Sequence, residues 1–526
     1  MGIYLNPGNE NFKESVYTKI YVDKTMMIGV LNEYMQQGNK YICISRPRRF
    51  GKTMASNMLA AYYSKGCDSS ELFSNYKIFD TKNYKNNLNK YNVIKLDMNS
   101  EYQNTRNIQN LIINLEDRIK EELGEVFTDI NIKEDDSLAQ TILNIYAKTG
   151  ETFIIIIDEY DVLVREQVPQ ETFDKFLRML NGLFKSDTLR PAISLAYLTG
   201  ILPIVRDKIQ SKLNNFDEFT ILNASELSEF VGFTNEDVIM LSDTYGLDLE
   251  ECQRWYDGYK QNGYEIYNPE SVIKAIIKKE FTGYWSRTSS YEAIADRIRQ
   301  DFKGSKEDVV RMLSGESVDV NVTRFLNTMN SFVTKDDVFT YLIHLGYLAY
   351  DNEYKTCRIP NKEVRQEWFN AIEGNEDYET TDKIIKASKE LLIATISKDE
   401  QAVASALDIS HIHVTSNRSY NNEDALQSAI YLAYIYALNE YTVVKEMTAG
   451  KGFADVVYIP YKTDKPAMII ELKRNDSTES ALEQIKNKHY FDCLSHYEGN
   501  LLFVGINYDE RSKTHECKIE KFEIFE

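Results

Sequence analysis

An α/β fold with an open parallel sheet is predicted for the N-terminal half of this 526-residue chain. Short apolar runs of strand type, such as Tyr41–Ser45 and Phe153–Ile157, alternate with stretches that have the apolar spacing of buried helices, such as Thr53–Tyr63 and Leu138–Thr149. The run before Asp158 contains four consecutive isoleucines. β-branched runs of this kind suit parallel strands that are buried on both faces.

Four further elements extend the alternating pattern. The segments Val93–Asp97 and Ile193–Leu198 are predicted strands, and the segments Leu111–Leu123 and Phe173–Phe184 are predicted helices. Strands separated by helices in this way make an open parallel sheet the natural arrangement.

A tight, basic loop joins the first predicted strand to the helix that follows it. The loop ends as the second half of a phosphate-binding P-loop: Gly51 lets the backbone approach a β-phosphate, Lys52 reaches the β/γ oxygens, and the Thr53 hydroxyl can ligate Mg²⁺. The start of the helix adds free N–H groups and a positive dipole end. The residues expected to hold a nucleotide here are Arg48, Arg49, Phe50, Gly51, Lys52 and Thr53.

One residue departs from the P-loop pattern. Arg46 stands where G-x-x-x-x-G-K-[ST] has its first glycine, so the loop is expected to have a different shape at that point. The alternative interpretation is a basic turn that happens to contain Gly-Lys-Thr.

Polar residues follow two of the predicted sheet strands. At the carboxyl end of the isoleucine strand, where open α/β sheets bind ligands, Asp158 is expected to hold Mg²⁺ through water and Glu159 to act as general base on the attacking water. Thr199 is placed to sense a γ-phosphate, and Arg206 could serve as an arginine finger. A core strand with a polar loop is the alternative, but it does not explain the preceding P-loop.

Composition limits the class of protein. The net charge is −20, which argues against a generally basic nucleic-acid-binding surface but not against a local basic cleft. The six cysteines are scattered without a C-x-x-C pair, which favours a reducing compartment. No signal peptide or membrane-spanning run is found, so a cytoplasmic protein without a membrane partner is expected.

Asp23 and Lys24 are expected to form a surface ion pair rather than to bind nucleotide.

The pattern changes after residue 223. Helices and an aromatic, turn-rich segment follow, with Asn268 and Pro269 as a predicted helix start. The acidic segment Glu373–Asp382 is a candidate linker. These features predict an ATPase domain at 1–223, a mostly helical lid or connector at 224–380, and a third domain at 381–526.

A hairpin near the C-terminus brings two carboxylates together. If the turn between the predicted strands Asp455–Pro460 and Ala467–Lys473 is centred on Thr463, Asp455 lies directly opposite Glu471, with Cβ atoms about 5 Å apart. Two carboxylates at that distance repel each other unless a divalent cation lies between them. Lys473 points to the same face and can orient water or neutralise a developing phosphorane.

Neighbouring residues are expected to support this hairpin. Asp476 and Glu479 can cap a helix that carries Gln484 and Tyr490, and Glu423 opens an earlier helix. The spacing D-x15-E-L-K after a helical Glu is the pattern of metal-dependent nucleases. The alternatives are an exposed strand face with alternating charges and, for Glu423, a carboxylate stabilised by the helix dipole.

The order of these motifs resembles that of bacterial AAA-ATPase-like proteins that carry a C-terminal PD-(D/E)XK nuclease domain. The matching stretches are YVDKT (21–25), RPRRFGKT (46–53), IIIIDEYD (154–161), LTGI (198–201), WYDGY with YNPESV (255–272), IPNKEV (359–364), GKGFADVV (450–457), IIELK (469–473) and ALEQI (481–485).

The resemblance implies a P-loop NTPase with a parallel sheet, a helical middle region and a C-terminal restriction-endonuclease-like α/β domain. It implies that Asp455, Glu471 and Lys473 form the nuclease core, with Glu423 and Gln484 in support. The family also has Arg at the position of Arg46. One departure is Phe453, which stands where a basic residue is expected and weakens the expected grip on DNA.

The leading hypothesis is an ATP-gated, Mg²⁺-dependent nuclease, with Mn²⁺ as a second candidate at the nuclease site. Its expected substrate is nucleic acid, with DNA favoured, its suggested setting is mobile-element or phage defence, and a homo-oligomer is an open alternative. A different hypothesis is a signalling or assembly ATPase whose nuclease-like domain only binds nucleic acid or a protein. The acidic net charge and Phe453 favour that hypothesis; the Asp455, Glu471 and Lys473 set disfavours it.

Overall fold

The computed structural model describes residues 2–204, 213–285, 302, 304–325, 332–372, 379–414, 423–449, 452–461, 464–497 and 500–522. They form two compact units. The first comprises the described residues of 1–290, 302–304 and 317–364, and the second those of 291–301, 305–316 and 365–526.

The strands are β1 Tyr41–Ser45, β2 Asn92–Asp97, β3 Phe153–Asp158, β4 Ile193–Gly200, β5 Asp217–Phe219, β6 Phe233–Thr234, β7 Tyr259–Gln261, β8 Tyr264–Tyr267, β9 Val318–Asp319, β10 Ala349–Asp351, β11 Thr356–Arg358, β12 Tyr441–Ala449, β13 Gly452–Pro460, β14 Ala467–Arg474, β15 Leu501–Asp509 and β16 Thr514–Lys521.

The α-helices are Glu10–Val16, Met26–Gln37, Lys52–Tyr63, Ser70–Phe73, Tyr84–Asn87, Met98–Asn104, Leu111–Val126, Leu138–Thr149, Val162–Arg165, Gln170–Phe184, Asn235–Tyr245, Leu249–Tyr256, Pro269–Lys278, Ser305–Leu313, Lys335–Leu345, Lys362–Ile372, Glu379–Ile396, Glu400–Val414, Glu423–Ala433 and Thr478–Asn487.

A five-stranded sheet in the order β2-β3-β4-β1-β5 organises the first unit, and all its strand pairs are parallel. Every residue of β1 and β3 is buried, because helices cover both faces of the sheet. The parallel sheet predicted from the isoleucine run is therefore confirmed. Its carboxyl-terminal edge gathers the ends of β1, β3 and β4, which carry the P-loop, Asp158 and Thr199.

Two small antiparallel sheets, β6-β8-β7 and β10-β11-β9, lie in the middle region of the first unit. The predicted helix start is confirmed: Asn268 is the N-cap, its side chain accepts from the Glu270 N–H at 3.0 Å, and Pro269 is the first helical residue. The three-domain division stays a prediction. Compactness groups residues 224–285 with the P-loop half.

A second five-stranded sheet, β12-β13-β14-β15-β16, is the frame of the second unit. The β14–β15 pair is parallel and the other pairs are antiparallel. One face packs on the helices Glu379–Ile396, Glu400–Val414 and Glu423–Ala433, and the other on the helix Thr478–Asn487. The side chains of β14 alternate between these two cores, so residues 471 and 473 share the face of the helix Thr478–Asn487.

Two local predictions differ from the structure. Residues 379–382 of the candidate linker belong to the helix Glu379–Ile396, whereas residues 373–378 lie outside the described part of the chain. The helix Thr478–Asn487 is capped by Ser477, whose hydroxyl accepts from the Ser480 N–H at 3.1 Å, and not by Asp476 or Glu479. A serine at this position satisfies the first-turn N–H with a shorter side chain.

Candidate functional sites

The P-loop carbonyl groups bind the ammonium of the loop's own lysine, Lys52. Gly51 has a φ of 93° and is the N-cap of the helix Lys52–Tyr63, a left-handed conformation that a glycine adopts without strain. The Lys52 ammonium donates to the carbonyl oxygens of Arg46 at 3.1 Å and Pro47 at 3.0 Å, and only 4% of this side chain is exposed. Burial is the main effect on the Lys52 pKa and lowers it. An anionic phosphate would replace two neutral carbonyl partners.

Arg46, the departure from the motif, is a buried structural residue. Its guanidinium donates to the carbonyl oxygens of Ser45 and Phe219, both at 2.9 Å, which ties β1 to β5. Burial lowers the Arg46 pKa to about 10. The side chain is therefore held by backbone carbonyls of β1 and β5.

Three other predicted nucleotide contacts have different surroundings. Arg48 is exposed. Arg49 donates to the Tyr284 carbonyl at 2.6 Å and pairs with Glu270 at 3.2 Å, and the buried Phe50 ring contacts the Tyr259 ring edge-on at 5.5 Å. Arg49 and Phe50 thus bind residues of the middle region rather than facing the expected phosphate position.

The end of β3 carries the candidate Mg²⁺ carboxylate. Asp158 is 1% exposed, accepts from the Thr199 hydroxyl, and accepts from the Glu159 N–H at 3.1 Å. Thr53 and Asp158 line the same cavity, which has a volume of about 290 Å³. The structure thus brings together Lys52, Thr53, Asp158 and Thr199, as the sequence predicted, whereas Arg206 lies outside the described residues.

Glu159, the candidate general base, is held by two cations. Its carboxylate accepts from the Arg165 guanidinium and lies 3.7 Å from the Lys52 ammonium, and its φ is 52°. Burial is the largest influence on the Glu159 pKa and raises it, against the effect of Lys52. Arg165 also pairs with Asp161 at 3.1 Å. Arg165 was not predicted from the sequence. The sequence signal for it is an arginine six residues after the candidate general base, at the end of a short helix.

A second cavity, which is apolar, lies beside Gly51 and is separate from the cavity that Thr53 and Asp158 line. Tyr21, Val22, Phe50, Phe233 and Ile273 are among the residues that line it. Such a cavity beside a P-loop glycine can take a flat, largely apolar ring. The N-terminal motif that contributes Tyr21 and Val22 was not assigned to the site from sequence.

The predicted surface pair of Asp23 and Lys24 is wrong. Asp23 accepts from the Thr25 N–H and hydroxyl and from the Lys77 N–H, all at 2.7–2.8 Å. Lys24 pairs with Asp237 and donates to the Glu229 carbonyl at 2.7 Å. Both side chains hold distant segments of the first unit together. The sequence shows only that two residues of opposite charge are neighbours, so it could not predict these distant partners.

The C-terminal hairpin has the predicted register. Val456 pairs with Ile470, Val457 with Ile469 and Tyr458 with Met468, and the same spacing sets Asp455 opposite Glu471. The Leu472 N–H donates to the Asp455 carboxylate at 2.8 Å, which fixes this carboxylate at the end of the paired segment.

Glu471 is the most perturbed carboxyl of this hairpin. It is 1% exposed, and its Oε2 has no hydrogen-bond partner among the described residues. Burial and the nearby Asp455 carboxylate raise the Glu471 pKa to about 7. A buried, unpartnered carboxylate oxygen opposite a second carboxylate fits a divalent cation, because oxygen ligands of negative charge are what Mg²⁺ and Mn²⁺ prefer.

A chain of polar contacts connects this carboxylate to the neighbouring helix. The Lys473 ammonium lies 3.3 Å from Glu471 Oε1 and donates to Gln484 Oε1 at 2.7 Å. The Gln484 amide donates to the Tyr490 hydroxyl at 3.2 Å. Tyr490 was predicted on the same helix as Gln484, but the helix ends at Asn487 and Tyr490 lies in the following 3-10 segment Tyr490–Tyr497.

Two further sequence predictions concern this region. The backbone of Glu423 starts the helix Glu423–Ala433, but its side chain lies outside the described residues. Phe453 is 62% exposed on β13. In the described part of the chain no group of three or more His, Cys, Asp and Glu side chains has metal-binding geometry, so Asp455 and Glu471 are a two-carboxylate set.

Two family models match the regions that contain these two sites. Residues 8–210 match the family model described as a predicted AAA-ATPase, and residues 421–518 match the model of the PD-(D/E)XK nuclease superfamily. The chain carries an AAA-ATPase-like domain and a PD-(D/E)XK nuclease superfamily domain. The resemblance inferred from the motifs is confirmed, as is the fold class.

Individual relatives are more distant. An uncharacterized protein in the vnfD 5' region of Azotobacter chroococcum mcd 1 is 27% identical over 300 residues, which are 55% of each chain, so the match spans about half the length of that relative. Two solved structures align over most of their lengths. The Aeropyrum pernix ORC2 protein in ADPNP and ADP complexes has 9% identity, a TM-score of 0.31, and coverage of 68% of this chain and 96% of its own.

The second is the replication initiator DnaA bound to AMPPCP and single-stranded DNA, with 12% identity, a TM-score of 0.25, and coverage of 74% and 92%. The fold assignment rests on the two family models and the strand orders of the two large sheets. Within the described part of the chain, no helix has both the length and the hydropathy needed to cross a membrane.

Proposed function

We propose that this protein binds and hydrolyses ATP in its first unit and thereby controls a divalent-metal-dependent phosphodiesterase in its second unit. The observation that carries the proposal is the set Asp455, Glu471 and Lys473 on one sheet face, with Gln484 on the helix that covers this face, in a chain that also has an intact Gly-Lys-Thr loop. The substrate is nucleic acid, with DNA favoured, and the setting is mobile-element or phage defence.

The residues around the P-loop fit a nucleotide with Mg²⁺. The Lys52 ammonium would move from the two loop carbonyls to the phosphates, and Thr53 and Asp158 would supply oxygen ligands to the cation. The apolar cavity next to Gly51 would hold the adenine ring.

Hydrolysis requires Glu159 to act as a base. In its present contacts Glu159 accepts from Arg165 and is attracted by Lys52. Movement of the lysine toward phosphate would remove one of these two cations, and Glu159 could then accept a proton from water. Thr199 would hold Asp158 in place through the hydroxyl bond between them.

In the second unit, Asp455 and Glu471 would hold Mg²⁺ or Mn²⁺, which when bound supplies Lewis-acid polarisation of a phosphodiester. Lys473 would neutralise charge that develops on the phosphate oxygens. Gln484 holds the ammonium in position from the helix Thr478–Asn487, with Tyr490 in turn fixing the amide. A partly buried ammonium that is already held by two oriented partners costs little reorganisation at the moment of reaction.

Cleavage assays test the proposal. Plasmid, linear and single-stranded DNA, and RNA, would be incubated with the protein in Mg²⁺ or Mn²⁺, with and without ATP. Cleavage that is lost in Lys473→Ala, and altered by ATP and by Lys52→Ala, is the expected result. Lys486→Ala is the matched control, because Lys486 is a half-exposed lysine of the neighbouring helix that pairs with Glu520. Cleavage that Lys473→Ala leaves unchanged would contradict the assigned site.

A second function is favoured by Phe453, whose exposed aromatic ring stands where a basic residue would grip DNA. This alternative is a signalling or assembly ATPase whose second unit binds nucleic acid or a protein without cleaving it. Nucleotide binding without cleavage under any of the conditions above would support this function instead. A homo-oligomer would be detected in the same preparations by sedimentation with and without ATP.

A further inference from the structure

Lys95 is a cationic side chain within the nucleotide half that the P-loop motif does not include. It lies on β2, where it pairs with Ile156 of β3, two residues before the pair of Asp97 and Asp158. Lys95 therefore lies near the carboxyl-terminal sheet edge that carries Asp158. The outer side of β2 is covered by the N-terminal segment, in which the Tyr4 carbonyl accepts from the Lys95 N–H at 2.9 Å.

The contacts of Lys95 place it at the cavity that Thr53 and Asp158 line. Lys95 donates to the Asn57 side-chain oxygen, and Asn57 lies one helical turn after Thr53. Lys95 and Asn57 line the same cavity of about 290 Å³ as Thr53 and Asp158. The cavity is thus lined by both candidate Mg²⁺ ligands and by a lysine, together with the carboxylates Asp97 and Glu101.

The charge of Lys95 is incompletely balanced. Among the residues that the structure describes, Lys95 makes no ion pair within 4.0 Å, whereas Arg49 and Arg165 both pair with carboxylates. Burial is the main effect on the Lys95 pKa and lowers it, although Asp158 and Asp97 oppose that effect. A partly buried cation on a polar cavity is stabilised when an anion enters the cavity.

We propose that Lys95 binds the γ-phosphate from the β2 side and makes the first unit prefer ATP to ADP. This inference rests on the proposed ATP binding. Lys52 approaches the phosphates from the loop, whereas Lys95 approaches from the side of Thr53 and Asp158. Release of the γ-phosphate would leave the Lys95 ammonium with its hydrogen bond to Asn57 and the more distant carboxylates Asp97 and Asp158. Lys95 would thus supply, from the same chain, a cation of the kind that an arginine finger supplies.

A purely structural role is the competing explanation. In that case the lysine serves only to hold Asn57 and to fill space beneath the N-terminal segment. A structural role predicts that ATP and ADP affinities change together, because neither the Lys95–Asn57 bond nor the packing of the cavity wall distinguishes the two nucleotides. A γ-phosphate role predicts a change for ATP alone.

The test is a pair of binding titrations with fluorescently labelled ATP and ADP in Mg²⁺, on the full chain. Wild type is expected to bind ATP more tightly than ADP. Lys95→Met is expected to weaken ATP binding by about tenfold or more, as loss of a charge-assisted hydrogen bond does, with ADP affinity within about twofold of wild type. Lys95→Arg keeps the charge and is expected to retain most of the preference for ATP.

Lys40→Met is the matched control. Lys40 is also a half-buried lysine that donates to a neutral acceptor, the Arg190 carbonyl at 2.7 Å, but it directly precedes β1 at the opposite end of the sheet. The Lys40→Met variant should leave the affinities for ATP and ADP unchanged. Equal losses for ATP and ADP in Lys95→Met, or no loss in either, would overturn the role of Lys95 while leaving nucleotide binding established.

Failure of wild type to bind either nucleotide would instead refute the proposed function itself, and the role of Lys95 with it. Thermal denaturation without nucleotide separates folding from ligand effects. A variant whose melting temperature matches that of wild type and whose ATP-to-ADP affinity ratio falls supports the γ-phosphate role.

Discussion

The two candidate sites differ in how their charges are satisfied before any ligand binds. In the first unit, Lys52 is held by loop carbonyls and Glu159 by Arg165. In the second unit, one oxygen of Glu471 is buried opposite Asp455 and has no hydrogen-bond partner within the described part of the chain. The P-loop site is therefore closed on itself and must exchange internal bonds for ligand bonds. In the hairpin site the side chains already have the arrangement that a cation would bind. Repulsion between the Asp455 and Glu471 carboxylates destabilises this site when no cation is bound.

The largest expected effect is on the hairpin site. Lys473→Ala should reduce cleavage of nucleic acid by about 10³-fold, because a preorganised cation that stabilises developing charge contributes several kcal/mol to a transition state. Gln484→Ala, which leaves the lysine but removes its 2.7 Å partner, should cost less, about tenfold. Initial rates of oligonucleotide cleavage measure both. If the two variants lose activity equally, Gln484 has a more direct role than positioning Lys473.

The P-loop site should respond more in binding than in chemistry. Lys52→Met is expected to weaken ATP binding by about 100-fold, since it removes a charged partner of two phosphates. Glu159→Gln should leave ATP affinity near that of wild type while hydrolysis falls by about 10²-fold or more. Titration calorimetry and phosphate release separate the two effects. Strong loss of ATP affinity in Glu159→Gln would mean that this carboxylate positions the P-loop rather than acting as a base.

A smaller effect is expected on stability, and it distinguishes the two sites by pH. The Glu471 pKa is raised from 4.5 to about 7, so the folded protein holds a proton that the unfolded chain has released. The stabilising contribution of this group is therefore complete below the unfolded value and is lost as pH rises through about 7. In EDTA, the melting temperature of wild type should fall more between about pH 5 and pH 8 than that of Glu471→Gln.

Glu363 provides the matched carboxyl in the first unit, because its pKa is also raised to about 7 by burial. Mg²⁺ or Mn²⁺ should remove the pH dependence due to Glu471 and leave that due to Glu363. If the melting temperatures of wild type and Glu471→Gln depend on pH in the same way in EDTA, burial does not raise the Glu471 pKa.

The smallest effect concerns the grip on nucleic acid. Phe453→Arg should raise affinity for DNA a few-fold and increase the slope of log affinity against log salt by about 1, because one more phosphate is neutralised. Tyr354→Arg, at an exposed aromatic position of the first unit, is the control and should change neither. A decrease in affinity on Phe453→Arg would indicate that the aromatic ring itself contacts the nucleic acid.

The sequence alone predicted the features that depend on local pattern and on symmetry along the chain. The isoleucine run predicted a doubly buried parallel strand, and Asn268 with Pro269 predicted a helix start. The hairpin register, with Asp455 opposite Glu471, followed from the position of the turn, because antiparallel partners sum to a constant. Motif order predicted the two domain families.

The tertiary structure decided where long side chains go. Arg46 reaches Phe219, Lys24 reaches Asp237, and Arg165 and Lys52 converge on Glu159. Lys95 enters the cavity of Asp158 only because β2 and β3 are neighbours in the sheet. Strand order and the packing of distant segments set these contacts, and residue periodicity carries no information about either. The sequence showed that Arg46 occupies the first position of the P-loop pattern, but the fold decided that its side chain bonds the carbonyls of β1 and β5.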